Sequence, residues 1–166
     1  MLQSPPELGG WGASVRIFET SQTSSYTEAM PRLDIIHDAV KTALIKDGWT
    51  ITDPYVIQYQ KTKLYADLGA ERPIAAEREG QKLVIEVKSF IGASKIQDLK
   101  EALGQYDIYR YLLEATAPDR KLYVAVSTIA YNTFFNQDVI QLILNRHQLP
   151  LIVVNIEIEE ITQWIN

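Results

Sequence analysis

Three short apolar runs dominate the chain from residue 82 onward: "KLVIEVKSF" (82–90), "KLYVAVST" (121–128) and "LPLIVVNI" (149–156). Each is far shorter than the roughly 20 apolar residues that cross a bilayer, and each has the β-branched content of a buried strand. Helical patterns separate them, one opening at Ser94 and running to about Glu114, the other over 133–147. A chain alternating in this way packs helices against a sheet. The first run carries a discord. Glu86 and Lys88 are ionisable, and an unpaired buried charge is costly, so such residues persist in a buried strand when they satisfy each other or when a site uses them.

Upstream, Pro31 is a favourable first helical residue, Leu33, Ile36, Val40 and Leu44 form one stripe, and Gly48 ends the helix. "YVIQYQ" (55–60) reads as a strand. A second extended stretch runs from about Leu64 to Arg78, interrupted near Gly69 and Pro73, and "REGQ" turns it into the strand at 82–90, so the three strands form a meander. Ser94 and Gln97 have capping-box spacing at the start of the next helix. After the strand at 149–156 a short polar-apolar ending reaches Trp164. The order is αβββα-β-α-β, an α/β domain over residues 30–166. Residues 1–29, rich in Ser, Pro, Gly and Thr with at most a short strand at "SVRIF" (14–18), read as a flexible arm. An authentic arm and an over-long start before Met30 stand level as explanations, and removing it should move the melting temperature by no more than about 2 °C.

With 46% hydrophobic and 22% charged residues, the composition suits one globular domain with a sizeable core. The N-terminus lacks a signal-peptide layout, so a cytoplasmic location without membrane partners is expected. The absence of cysteine excludes disulfides, cysteine nucleophiles and thiolate zinc, and two histidines give a histidine zinc site little support. A metal would be held by oxygen. The net charge of −5 argues against coating nucleic acid by bulk electrostatics, but residues 60–100 contain eight Lys or Arg against six Asp or Glu.

Strand alternation puts Glu86 and Lys88 on one face and Ile85 and Val87 on the other. A hairpin closing at Glu79 and Gly80 runs Asp67 back alongside the Glu86 strand. Two carboxylates, with the Val87 carbonyl and waters, are oxygen ligands suited to Mg²⁺ or Mn²⁺, which polarises a phosphodiester and acidifies an attacking water. Lys88 is placed to orient or deprotonate that water, or to offset charge in the transition state. On the next helix Gln105 and Tyr109, four apart, share a face offset from the stripe Ile96, Leu99, Leu103 and Tyr106, and reach toward the charged strand. The bland alternatives are a surface ion pair, a solvated glutamine and a packed tyrosine.

An Asp, then E-x-K on a neighbouring strand, then Q-x-x-x-Y on the following helix resembles the PD-(D/E)-x-K superfamily, especially its RecB-like branch, with Ala66 where the motif has proline. More closely, "HDAVKTALIKDGWTITDP", "DLGAER", "EVKSF" and "ALGQYDIYRYLL" resemble the XisH family over Met30 to Asn166. These are cyanobacterial accessory factors named for controlling excision of the fdxN DNA element. The resemblance implies a restriction-endonuclease-like core, αβββαβ with a mixed central sheet flanked by helices, plus an additional C-terminal αβ unit. It implies Asp67 and Glu86 as ligands of Mg²⁺ or Mn²⁺, Lys88 as the catalytic lysine, and Gln105 with Tyr109 as the supporting pair. The implied partners are DNA, a site-specific recombinase and a small XisI-like companion; self-association stays open. Two readings follow, a metal-dependent deoxyribonuclease and a catalytically silent subunit that binds DNA or a partner. A nuclease held inactive by its companion is a third. Asp34 and Asp38 of the first helix are secondary metal candidates, and His37 reads as a packed residue before a ligand.

Overall fold

The computed structural model describes residues 33–72 and 80–166. Helix α1, described over residues 33–46, buries Ile36, Val40 and Leu44 with Ala39 and Ala43 between them, while Leu33 is exposed. It ends where Gly48, at φ 90°, donates its amide to the Ile45 carbonyl, a left-handed conformation that other side chains resist. Next come β1 (Thr50–Thr52), β2 (Tyr55–Tyr59), β3 (Thr62–Ala66), β4 (Leu68–Arg72) and β5 (Gln81–Val87). Helix α2 (Lys95–Thr116) leads to β6 (Arg120–Ser127), and α3 (Thr128–Ala130) runs into a π-helical turn (Tyr131–Phe135). Helix α4 (Asp138–His147) and strands β7 (Leu151–Asn155) and β8 (Glu160–Ile165) complete the chain.

Six strands form a mixed sheet in the order β1-β4-β5-β6-β7-β8. Strands β5, β6 and β7 are parallel, and the outer pairings are antiparallel. Both faces of the central strands are covered, which explains their nearly continuous apolar sequence. On one face Leu83, Ile85, Tyr123 and Ile152 meet Ile36, Val40, Leu44 and Trp49. On the other, Val84, Val124 and Val153 meet Leu99, Tyr106 and Leu113 of α2 and Ile140 of α4.

The central elements agree with the sequence reading, and several local expectations are corrected. Strands β2 and β3 are not the first part of a meander but a separate two-stranded ribbon, because the chain breaks pairing at Asp67 and only β4 joins the large sheet. The interruption expected near Gly69 falls at Asp67, and Gly69 itself continues the strand. It lies inside β4, where a Cβ would meet Tyr55 Cδ2 at 2.7 Å, so the ribbon's aromatic ring takes the space of its missing side chain. Thr50–Thr52, to which the sequence reading assigns no element, form the edge strand β1, and the polar ending at Trp164 is strand β8. The helix expected over 133–147 begins at Thr128, capped by the Ser127 hydroxyl, which accepts from Ala130 N at 3.1 Å. Its π turn lets the adjacent Phe134 and Phe135 both bury, and the helix restarts at Asp138. Ile96, expected in the buried stripe of α2, is exposed, and the buried positions are Leu99, Ala102, Tyr106, Tyr109 and Leu113. The expected arm, the Pro31 helix start, the kink at Pro73 and the turn residue Glu79 lie outside the described residues.

Candidate functional site

The last residues of β5 place Glu86 on the α2 side of the sheet, in line with Val84, while Ile85 and Val87 face α1. The antiparallel register pairs Leu68 with Ile85, so one step further Asp67 lies level with Glu86. Asp67 Oδ2 there accepts the Val87 amide at 2.7 Å, which ties the β3–β4 junction to the end of β5. Lys88, just past the strand, places Nζ 3.2 Å from Glu86 Oε1. From α2, Gln105 Nε2 donates to the same Oε1 at 2.7 Å and to the Tyr109 hydroxyl at 2.9 Å. The Tyr109 hydroxyl in turn donates to the Tyr65 carbonyl at 2.9 Å. A polar circuit therefore runs from the end of β3 through Tyr109, Gln105 and Glu86 to Lys88, and closes through Asp67 on β5.

Glu86 is only 7% exposed, and its Oε2 is buried without a hydrogen-bond partner. Burial pushes its carboxyl above the ordinary range, the Asp67 charge adds to the rise, and Lys88 opposes it. Burial also raises the Tyr109 phenol, against the Gln105 hydrogen bond, so the ring keeps its proton and can donate to Tyr65. An unpartnered carboxylate oxygen beside a second carboxylate is a donor set that a divalent cation satisfies, relieving both the desolvation and the repulsion. Mg²⁺ typically keeps several waters and takes one or two protein carboxylates, so two suffice. No group of three or more Asp, Glu, His or Cys residues is arranged as a metal site among the described residues.

The family model described as "XisH protein" matches residues 30–162. The chain belongs to the XisH family. Two solved structures are similar to it, each with a TM-score of 0.70 and each covering 80% of this chain and 99% of its own. One is an XisH family protein from Nostoc punctiforme PCC 73102, at 40% identity; the other is a fdxN element excision controlling factor protein from Anabaena variabilis, at 44%. No curated protein matches. Asp67, Glu86, Lys88, Gln105 and Tyr109 all fall within the XisH match.

Outside this circuit, Asp38 sits 3.6 Å from His37, whose other ring nitrogen is 3.8 Å from Asp53, and Lys41 pairs with Asp53 at 2.9 Å. These are side chains of α1 and of the link that follows β1, and α1 packs on the opposite face of the sheet from Glu86. Asp34 is exposed. The circuit also uses two main-chain groups that residue patterns do not mark: the Tyr65 carbonyl, which holds Tyr109, and the Val87 amide, which holds Asp67. The sequence directs attention to the Val87 carbonyl, whereas the group engaged in the circuit is its amide. No helix among the described residues is long and apolar enough to cross a membrane.

Proposed function

We propose that this XisH protein is a divalent-metal-dependent nuclease-fold protein that acts on DNA during excision of a genetic element, as the name of its Anabaena relative suggests. The observation that carries the reading is the unpartnered, buried Glu86 Oε2 beside Asp67, with Lys88 on the same carboxylate. The order α1, β1, β4, β5, α2 and β6 supports a restriction-endonuclease-like αβββαβ core, with the β2–β3 ribbon inserted between its first two strands and the α4–β7–β8 segment added after it.

Asp67 and Glu86 would hold Mg²⁺ or Mn²⁺, which when bound supplies Lewis acidity toward a phosphodiester and its attacking water. Gln105 and Tyr109 fix the Glu86 carboxylate, so its free oxygen stays aimed without reorganisation. Lys88, 27% exposed at its side chain, is open enough to meet water and takes the role of orienting it or balancing developing charge. A XisI-like companion and a recombinase are the partners this reading supplies.

The test is cleavage with Mg²⁺ or Mn²⁺ on single-stranded, branched and supercoiled DNA, with and without the companion. Wild type should cut one of these forms, and Lys88→Met should lose at least about 100-fold, the low end for a positioned acid or base. If no form is cut in any mixture, or Lys88→Met cuts as well as wild type, the silent DNA- or partner-binding subunit replaces the enzyme reading.

A further inference from the structure

The β2–β3 ribbon has a second face that neither the core nor the carboxylate site uses. Its inner residues Tyr55, Ile57, Leu64 and Ala66 pack toward α2. Its outer face presents Val56 opposite Tyr65 and Gln58 opposite Lys63, all exposed, with Lys61 in the connecting turn. Tyr65 is 59% exposed, while its own carbonyl is engaged by Tyr109. Residues 54–66 contain these two lysines and no acidic residue, in a chain of net charge −5. Among the described residues Lys61 and Lys63, like Lys95, Lys100 and Lys121, form no ion pair, whereas Lys41, Lys46, Lys82 and Lys88 each do.

The ribbon is also coupled to the site. Strand β3 ends at Ala66, immediately before Asp67, and Tyr109 fastens the Tyr65 carbonyl to the circuit around Glu86. At about 3.3 Å per residue, Lys63 stands roughly 13 Å along the chain from Asp67, a span of a few nucleotides. Two carboxylates repel a polyanion, so a strand that reaches them needs cationic groups nearby.

We propose that the outer face of this ribbon holds a single-stranded nucleic-acid segment leading to the Asp67–Glu86 site, with phosphates on Lys61 and Lys63 and a base stacked on Tyr65. The proposal rests on the reading that the protein handles DNA, and it names the surface that does so.

Fluorescence anisotropy of a labelled single-stranded oligonucleotide across a salt series tests it, in EDTA and again with Mg²⁺ in a Lys88→Met background that removes cutting. The double variant Lys61→Gln/Lys63→Gln should flatten the log–log salt slope by about 1.4, at about 0.7 for each phosphate that is no longer neutralised. Tyr65→Ser should weaken binding about tenfold, at the lower end for removal of a stacking ring, without changing the slope. Lys121→Gln, at the start of β6, should bind like wild type. The three ribbon side chains are exposed, and thermal melts confirm that the variants fold. Wild-type binding that survives all the ribbon changes with an unchanged slope overturns the ribbon assignment alone. Weakening by Lys121→Gln equal to that of the double variant also overturns it, since the attraction would then be diffuse. Failure to bind both by wild type in EDTA and by Lys88→Met with its ribbon unchanged in Mg²⁺ overturns the DNA reading and the ribbon together.

Discussion

Glu86 enters a desolvated position next to Asp67, and the sign of its titration follows from that. Its folded-state pKa lies above the ordinary 4.5, so the fold favours the protonated carboxyl over the charged one. The cost of ionising it is absent below about 4.5, grows as pH rises to the raised value, and is complete above it. Without divalent metal, Glu86→Gln should therefore melt above wild type at neutral pH, and the gap should close on acidification to pH 4.5 or below. Melting curves of the two proteins in EDTA across pH measure this; a gap that is absent at neutral pH, or that widens in acid, would show that Lys88 fully compensates the charge. The placement of Glu86 and Lys88 was legible because strand parity alone puts residues two apart on one face. Gln105 and Tyr109 were legible through four-residue spacing, although Tyr109 proves to lie in the buried stripe of α2 and not beside it. The Tyr65 carbonyl and Val87 amide were not legible, since every residue has such groups and only tertiary placement selects two of them.

At the scale of elements, the ribbon is held against the sheet by a close approach. Gly69 of β4 leaves room for the Tyr55 ring, which has Arg120 on it with the guanidinium carbon 4.6 Å from its centroid. An alanine at 69 would bring its Cβ within 2.7 Å of that ring and displace it. Gly69→Ala should destabilise the protein by about 1–3 kcal/mol in urea unfolding, as overpacking commonly does. In a Tyr55→Ala background most of that cost should disappear, because the ring it strikes is gone. Additive losses in the double variant would reject the ring as the reason for the glycine. The same close approach explains why the sequence suggests a meander. A glycine in an extended stretch signals equally a break or a close approach, and only the partner ring decides between them. The short strand β1 was hidden for a related reason: three residues, Thr50–Thr52, are too few to show a period, and their pairing with β4 exists only in three dimensions. Strands β5, β6 and β7 were readable because burial on both faces writes a continuous apolar run into the sequence.

Across the whole molecule, the site joins segments far apart in sequence. Asp67 follows β3, Glu86 and Lys88 end β5, and Gln105 and Tyr109 come from the middle of α2. No such grouping exists in the unfolded chain, so a cation held between the carboxylates would stabilise the folded state against global unfolding, not merely one loop. The crowded pair also leaves something for the cation to relieve, because the free Glu86 oxygen and the Asp67 charge both disfavour the metal-free, ionised state. At a free concentration 100 times the dissociation constant, one site adds about 2.7 kcal/mol of stability. For a chain of this length that corresponds to a rise in melting temperature of about 5–10 °C. Differential scanning fluorimetry of wild type against Mg²⁺ and Mn²⁺ should show a saturable shift of this order, and Glu86→Gln, which keeps the side-chain volume and removes the charge, should show almost none. An equal shift in both proteins would place the cation elsewhere. No shift in wild type up to millimolar metal would remove the cation from the site, leaving Glu86 and Lys88 as a paired charge that positions the end of β5.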